Sequence, residues 1–118
     1  MTGPTRPAGA LVRLLGGRWT LPVLGQLAEA DCRYQELLDA LEGVSHKVLT
    51  ETLRRAERDG LITRHLDADR VESAMIYRLT PLGRTLEDPL AYLDHWVDKN
   101  WFAVELAHEG WDKRAGNR

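Results

Sequence analysis

The sequence predicts a mainly α chain with one small β-hairpin, an α+β fold of a few short elements. Three observations predict it. Apolar residues recur at spacings of three and four over most of the chain, the period of a helix face. Two stretches, residues 61–66 and 74–79, alternate imperfectly instead and flank a polar run, as the strands of a hairpin do. The 118 residues, 43% of them hydrophobic, supply one modest core and not two.

Residues 1–9, with Pro4, Pro7 and two glycines, read as a flexible arm. A short helix from Ala10 to Leu15 is expected to break at Gly16-Gly17. A second helix is expected from Thr20 to about Ala30, with Thr20 as N-cap, Pro22 in the first turn and Leu21, Leu24, Leu27 and Ala28 on its apolar side. Arg33-Tyr34 reads as a short extended link, followed by a third helix from Gln35 to Leu41 with Leu37, Leu38 and Leu41 turned inward.

The fourth helix, residues 45–59, has the clearest bounds. Ser45 is its N-cap, Val48, Leu49, Leu53 and Ala56 form its apolar stripe, and Gly60 is placed to close it in a left-handed conformation. The hairpin comes next, its strands separated by the polar run from Asp67 to Ser73. Thr80-Pro81 restarts helix in the N-cap then N1 pattern, and Pro89 is expected to kink that helix or divide it in two. In the last helix Leu90, Val97, Val104 and Trp111 recur every seven residues, with Leu93 and Trp101 on the intervening turns. That stripe needs cover: either its own domain or, the favoured reading, the same helix of a second subunit, joined by Leu11 of the first helix. The expected organisation is an arm (1–9), a core domain (10–85), a dimerisation helix (86–112) and a flexible tail (113–118).

Charge sorts the segments by what they can approach. The formal net charge of -2 hides a balance of +2 from Ser45 to His65 and of -6 from Leu86 to Asp112. The first suits a polyanion and the second repels one. Three helices followed by two strands and a polar loop is the winged helix-turn-helix order, in which the later helix of the pair enters the major groove of DNA. On that reading Ser45 and the first-turn N–H groups hold a phosphate, His46, Lys47 and Thr50 reach base edges, and Arg54 and Arg58 meet phosphates. The alternative for all of them is a solvated helix face.

The chain resembles the HxlR-type winged-helix transcription regulators, relatives of the MarR group. The matching residues are Leu14-Leu15-Gly16-Gly17-Arg18-Trp19-Thr20, Arg33-Tyr34-Gln35-Glu36-Leu37, Ser45-His46-Lys47-Val48-Leu49-Thr50, Leu53-Arg54 with Asp59-Gly60-Leu61-Ile62, and Tyr77-Arg78-Leu79-Thr80-Pro81-Leu82-Gly83. Each block is weak singly and specific in combination. The resemblance implies a homodimeric DNA-binding regulator of bacterial operons, paired through the first and last helices; two copies of residues 45–59 in successive major grooves then call for an inverted-repeat operator in double-stranded DNA. Arg33, within a matching block, joins the expected DNA-binding residues. The wing departs from the family: the arginine that relatives carry just before the second strand is replaced by Ser73-Ala74. Arg70 is the loop's one cation, surrounded by Asp67, Asp69 and Glu72. Arg64 and His65 on the first strand are the candidates to compensate.

Trp19, Trp96, Trp101, Phe102 and Trp111 are read either as packing or as the walls of an apolar pocket for a small aromatic or quinone-like effector. Some relatives sense oxidants through a cysteine in the arm, and residues 1–13 contain none. Cys32 stands between Asp31 and Arg33, which pull its pKa in opposite directions, and it reads as a structural thiol. One cysteine makes no internal disulfide, and a reducing, cytoplasmic compartment is expected. The chain shows neither a secretory signal at its start nor an apolar run near the ~20 residues of a membrane span. His46, His65, His95 and His108 lack metal-ligand spacing, no Gly-x-Ser-x-Gly occurs, and Gly16-Gly17 lacks the rest of a phosphate loop. Neither enzyme activity, metal nor cofactor is expected. The rival function is a winged-helix module that binds protein, favoured by the acidic loop and acidic last helix.

Overall fold

A computed structural model describes residues 5–67 and 74–116. The chain divides into two compact units, Met1–Thr85 and Leu86–Arg118. In the first unit, α1 (Ala10–Leu15), α2 (Thr20–Glu29), β1 (Cys32–Arg33), α3 (Tyr34–Ala40), α4 (His46–Arg58), β2 (Ile62–Asp67), β3 (Ala74–Leu79) and α5 (Pro81–Arg84) succeed one another in order. Mostly helix with one small antiparallel sheet, this is the winged helix-turn-helix architecture that the order of elements predicted.

The sheet has three strands in the order β1-β3-β2, one more than the expected hairpin. The addition is the segment read as a link: Cys32 pairs with Tyr77 and Arg33 with Ile76. Two residues cannot display an alternating pattern, so no periodic signal of a strand exists there. Asp31 anchors the edge by accepting a hydrogen bond from Arg78 Nε at 2.8 Å. The hairpin itself runs in register from Ile62 opposite Leu79 to Asp67 opposite Ala74.

Core side chains come from every layer: Val23, Leu24 and Leu27 of α2, Leu37 of α3, Leu49, Leu53 and Ala56 of α4, Ile62 of β2 and Leu79 of β3, with Leu41 and Leu61 from the connections. Three assignments shift. Leu21 and Ala28 of α2 are exposed, and Thr20 and Val23 join Leu24 and Leu27 on the inward side, since spacings of three and four connect those residues equally well. Thr20 is the first helical residue, buried, with its hydroxyl donating to the Gly16 carbonyl at 3.1 Å, and Trp19 occupies the cap position. In α4 Thr52 is buried, its hydroxyl satisfied by the Val48 carbonyl at 2.8 Å, while Val48 is exposed.

Both ends of α4 are closed locally. Ser45 Oγ accepts from the Val48 N–H at 3.1 Å. At the other end Gly60 adopts φ 79°, and the N–H groups of Gly60 and Leu61 reach back to the carbonyls of Glu57 and Ala56, both at 3.0 Å. This is a Schellman closure, which glycine enters without the steric cost other residues meet. Thr80 then ties three segments together. Its N–H donates to the Leu61 carbonyl (3.0 Å), its hydroxyl donates to the Gly60 carbonyl (2.5 Å), and that hydroxyl accepts from the Gly83 N–H (3.0 Å).

The second unit is α6 (Glu87–Gly116), a single helix of 30 residues. Pro89 neither kinks nor divides it, because the residue falls in the first turn, where no intrahelical partner awaits its missing N–H. Residues 113–116, assigned to a tail, are helical. The chain's apolar surface is concentrated here. The heptad stripe occupies one side, Trp96 lies on its flank, and Tyr92, Phe102 and Leu106 are turned toward the opposite side, all four at least half exposed. No helix is long and apolar enough to cross a membrane among the described residues.

Candidate nucleic-acid interface

Burial of Leu49, Thr52, Leu53 and Ala56 fixes which side of α4 faces out. Opposite them lie Lys47, Arg54 and Arg58, at i, i+7 and i+11, with Glu51 between; all four are exposed. Lys47, Arg54 and Arg58 make no hydrogen bond or ion pair with another described residue. Three free cations therefore stand in one row on a rod anchored from behind. The rod's leading end offers the N–H groups of its first turn, and the partial positive charge there favours an anion.

His46 and Thr50 sit on the shoulder of this row and are otherwise engaged. The Tyr34 hydroxyl donates to the His46 carbonyl at 3.1 Å and lies 3.1 Å from His46 Nδ1 and 3.3 Å from Thr50 Oγ1. The Tyr34 and His46 rings stack with centroids 5.8 Å apart. Tyr34, at the start of α3, thus holds the first turn of α4 at a set angle to the helix before it. A contact between residues 12 and 16 positions apart leaves no trace in local periodicity. Glu51 was legible as a charge but not as part of the row: four residues after Lys47, its carboxylate is an acceptor amid donors.

The HxlR-like helix-turn-helix model matches residues 14–105, covering both helices of the pair, the sheet and most of α6. The chain belongs to the HxlR-like helix-turn-helix family. Its relatives are transcriptional regulators rather than enzymes. The HTH-type transcriptional regulator sll1512 of Synechocystis is 35% identical over 88% of this chain and 76% of its own length. Among solved structures, a MarR-family transcriptional regulator from Enterococcus faecalis V583 is 35% identical, with TM-score 0.68 over 82% of this chain and 86% of that one. The redox regulator HypR in its oxidized form is 27% identical, with TM-score 0.69 over 76% and 92%.

Within this HxlR-like domain the remaining expected DNA contacts are placed unequally. Arg64 is held by Glu57 in an ion pair at 3.3 Å, and His65 is half-buried. Arg33 is half-buried at the sheet edge, where its N–H caps α3 by donating to Glu36 Oε1 at 3.1 Å, and its buried Nε has no hydrogen-bond partner among the described residues. Arg70 lies outside the described residues. Arg18 lies 5.1 Å over the half-buried Trp19. Trp96 lines a shallow groove of about 390 Å³ with Tyr92, His95, Lys99 and Asn100, and Trp101, Phe102 and Trp111 are not among its walls. Trp101 Nε1 donates to Glu105 at 2.7 Å, and Arg114 lies 5.8 Å over Trp111.

Cys32 is partly buried in β1, its thiol 3.4 Å from the Ala30 carbonyl. Burial first, then the carboxylates of Glu36, Asp31 and Glu29, hold its pKa above the ordinary thiol value. Arg33, next in sequence, does not reverse that balance.

Proposed function

We propose that the protein is a homodimeric, sequence-specific DNA-binding repressor that lays α4 of each subunit in successive major grooves of an inverted-repeat operator. The observation that carries this is the unpaired row of Lys47, Arg54 and Arg58 on the outward side of α4, with Glu51 among them. Lys47 and Glu51 meet base edges, where Glu51 is suited to accept from a cytosine amino group; Arg54 and Arg58 meet phosphates. His46 and Thr50 assist from the shoulder, through atoms that Tyr34 already orients, and Ser45 with the first-turn amides holds a phosphate. Arg33, Arg64 and Arg70 contribute at the flank at most one phosphate contact each.

Homodimerisation is supported by α6, which carries apolar side chains on two opposite sides. A helix of that kind is one whose sides are both covered in the working molecule. Leu11, Leu90, Leu93, Val97, Trp101, Val104 and Trp111 are the proposed pairing residues. Two-fold pairing sets the groove-facing helices roughly 34–36 Å apart, one turn of duplex. The protein works in the cytoplasm, where a small-molecule or stress signal changes that spacing. HypR is a redox regulator; in this chain the single cysteine has a thiol pushed toward the unreactive protonated form, which favours a signal other than thiol oxidation.

Fluorescence-polarisation titration of an operator fragment over a range of salt tests the reading. Affinity falling steeply between ~50 and ~200 mM salt, as release of counterions from several phosphates requires, supports it. No retention on any duplex at the low end transfers the row to a protein partner.

A further inference from the structure

Four arginines converge at a place that the DNA-facing row does not account for. The arm, α1 and the last turns of α4 border a cleft of about 660 Å³ whose walls include Arg6, Arg13, Arg55 and Arg58, with Asp59 the one carboxylate among its described walls. Arg55 and Arg58 have a local reason to be there, since cations in a last turn complement the helix dipole. Arg13 has the same reason at the end of α1, and Arg6, on the arm, has none. None of the four guanidiniums is hydrogen-bonded or ion-paired to another described residue. Like charges gathered around a concavity, with one acid against four bases, repel one another until an anion enters.

The rest of the wall is apolar. Val12 is 71% exposed and Leu14 40%, and α1 buries no side chain at all. The cleft has the size of a small-molecule site and its usual make-up, a greasy wall with a few directed polar groups. We propose that it binds a small organic anion with a flat apolar body, an aromatic carboxylate being the simplest form. The carboxylate takes a two-pronged contact from a guanidinium pair and the ring lies on Val12 and Leu14. Occupancy orders α1 against α4 and withdraws Arg58, which also belongs to the DNA-facing row, from phosphate. The release of DNA rests on the repressor reading; the binding site itself does not.

Benzoate titrated into the full-length protein without DNA, followed by backbone NMR shifts at constant ionic strength, tests the site. Expected is saturable binding with shifts confined to residues 6–14 and 55–59, and none with neutral benzamide. Arg13→Gln and Arg55→Gln each weaken benzoate by about tenfold or more, the loss of one charge-assisted hydrogen bond, with the circular dichroism spectrum unchanged. Benzoate also lowers operator affinity of the unaltered protein and not of Arg13→Gln. Absence of saturable benzoate binding to the unaltered protein overturns the proposal, whatever the variants do. So does equal binding of benzamide, or a double variant Arg13→Gln/Arg55→Gln that loses operator affinity and salt dependence while benzoate shifts nothing, since the cleft would then serve the duplex backbone. Benzoate binding in a protein that retains no DNA leaves the anion site standing and removes only the repressor reading.

Discussion

At the scale of single residues, the row on α4 separates positioning from reading. A lysine whose contact is a phosphate contributes the same amount to every sequence. Lys47, which meets a base edge, does not: Lys47→Ala lowers affinity mainly through one base pair of the operator and relaxes the preference there; an even loss with the salt slope flattened by about one unit would identify it as a phosphate contact instead. Tyr34 makes a different forecast. Tyr34→Phe removes one hydroxyl from the His46 and Thr50 cluster, and a chemical denaturation curve should show a loss of about 1 kcal/mol. Operator affinity should fall with it, because the angle of α4 depends on that hydroxyl. Cys32 supplies the pH-dependent case. Its neutral thiol is the form the fold favours, so that preference is complete below the ordinary thiol pKa and is lost as pH rises through the higher folded value. Alkylation by iodoacetamide at about pH 8, near the ordinary thiol pKa, should be slower in the folded protein than in urea, and equal rates would contradict a thiol held protonated by burial.

Among the elements, those with chemical end signals were legible and those defined by tertiary pairing were not. Ser45, Gly60 and the Thr80-Pro81 step marked their boundaries correctly, because each satisfies backbone groups through its own side chain or conformation. Strand β1 was invisible, since its only reason to be extended is β3, more than 40 residues downstream in sequence. Pro89 misled for a related reason: a proline forbids helix only where an N–H is needed, and the start of α6 could not be located from its neighbours. In the site, the cations of α4 were legible by type and spacing. The engagement of His46 and Thr50 by Tyr34, and the pairing of Arg64 with Glu57, were not, because each depends on packing between elements. Gly60→Ala puts a Cβ at φ 79° and should cost about 1 kcal/mol in thermal or denaturant unfolding.

For the molecule as a whole, the segregation of charge and apolar surface is the organising fact. Cations gather on α4 and the cleft beside it, while α6 concentrates acids together with exposed Tyr92, Leu93, Trp96, Val97, Trp101, Phe102, Leu106 and Trp111. An acidic helix near a polyanion is tolerable only if it is held away from the duplex, and an apolar one in water only if it is covered. A symmetric pair meets both conditions. Val97→Arg should shift the sedimentation coefficient from dimer to monomer and abolish operator binding at concentrations where the parent binds, with the helical spectrum of the first unit retained.

Thr80 also decides where a disturbance goes. Because one side chain bonds both the carbonyl just beyond α4 and the turn that begins α5, Thr80→Val would strip a partner from each at once, loosening the trailing end of α4 and the leading end of α5 together.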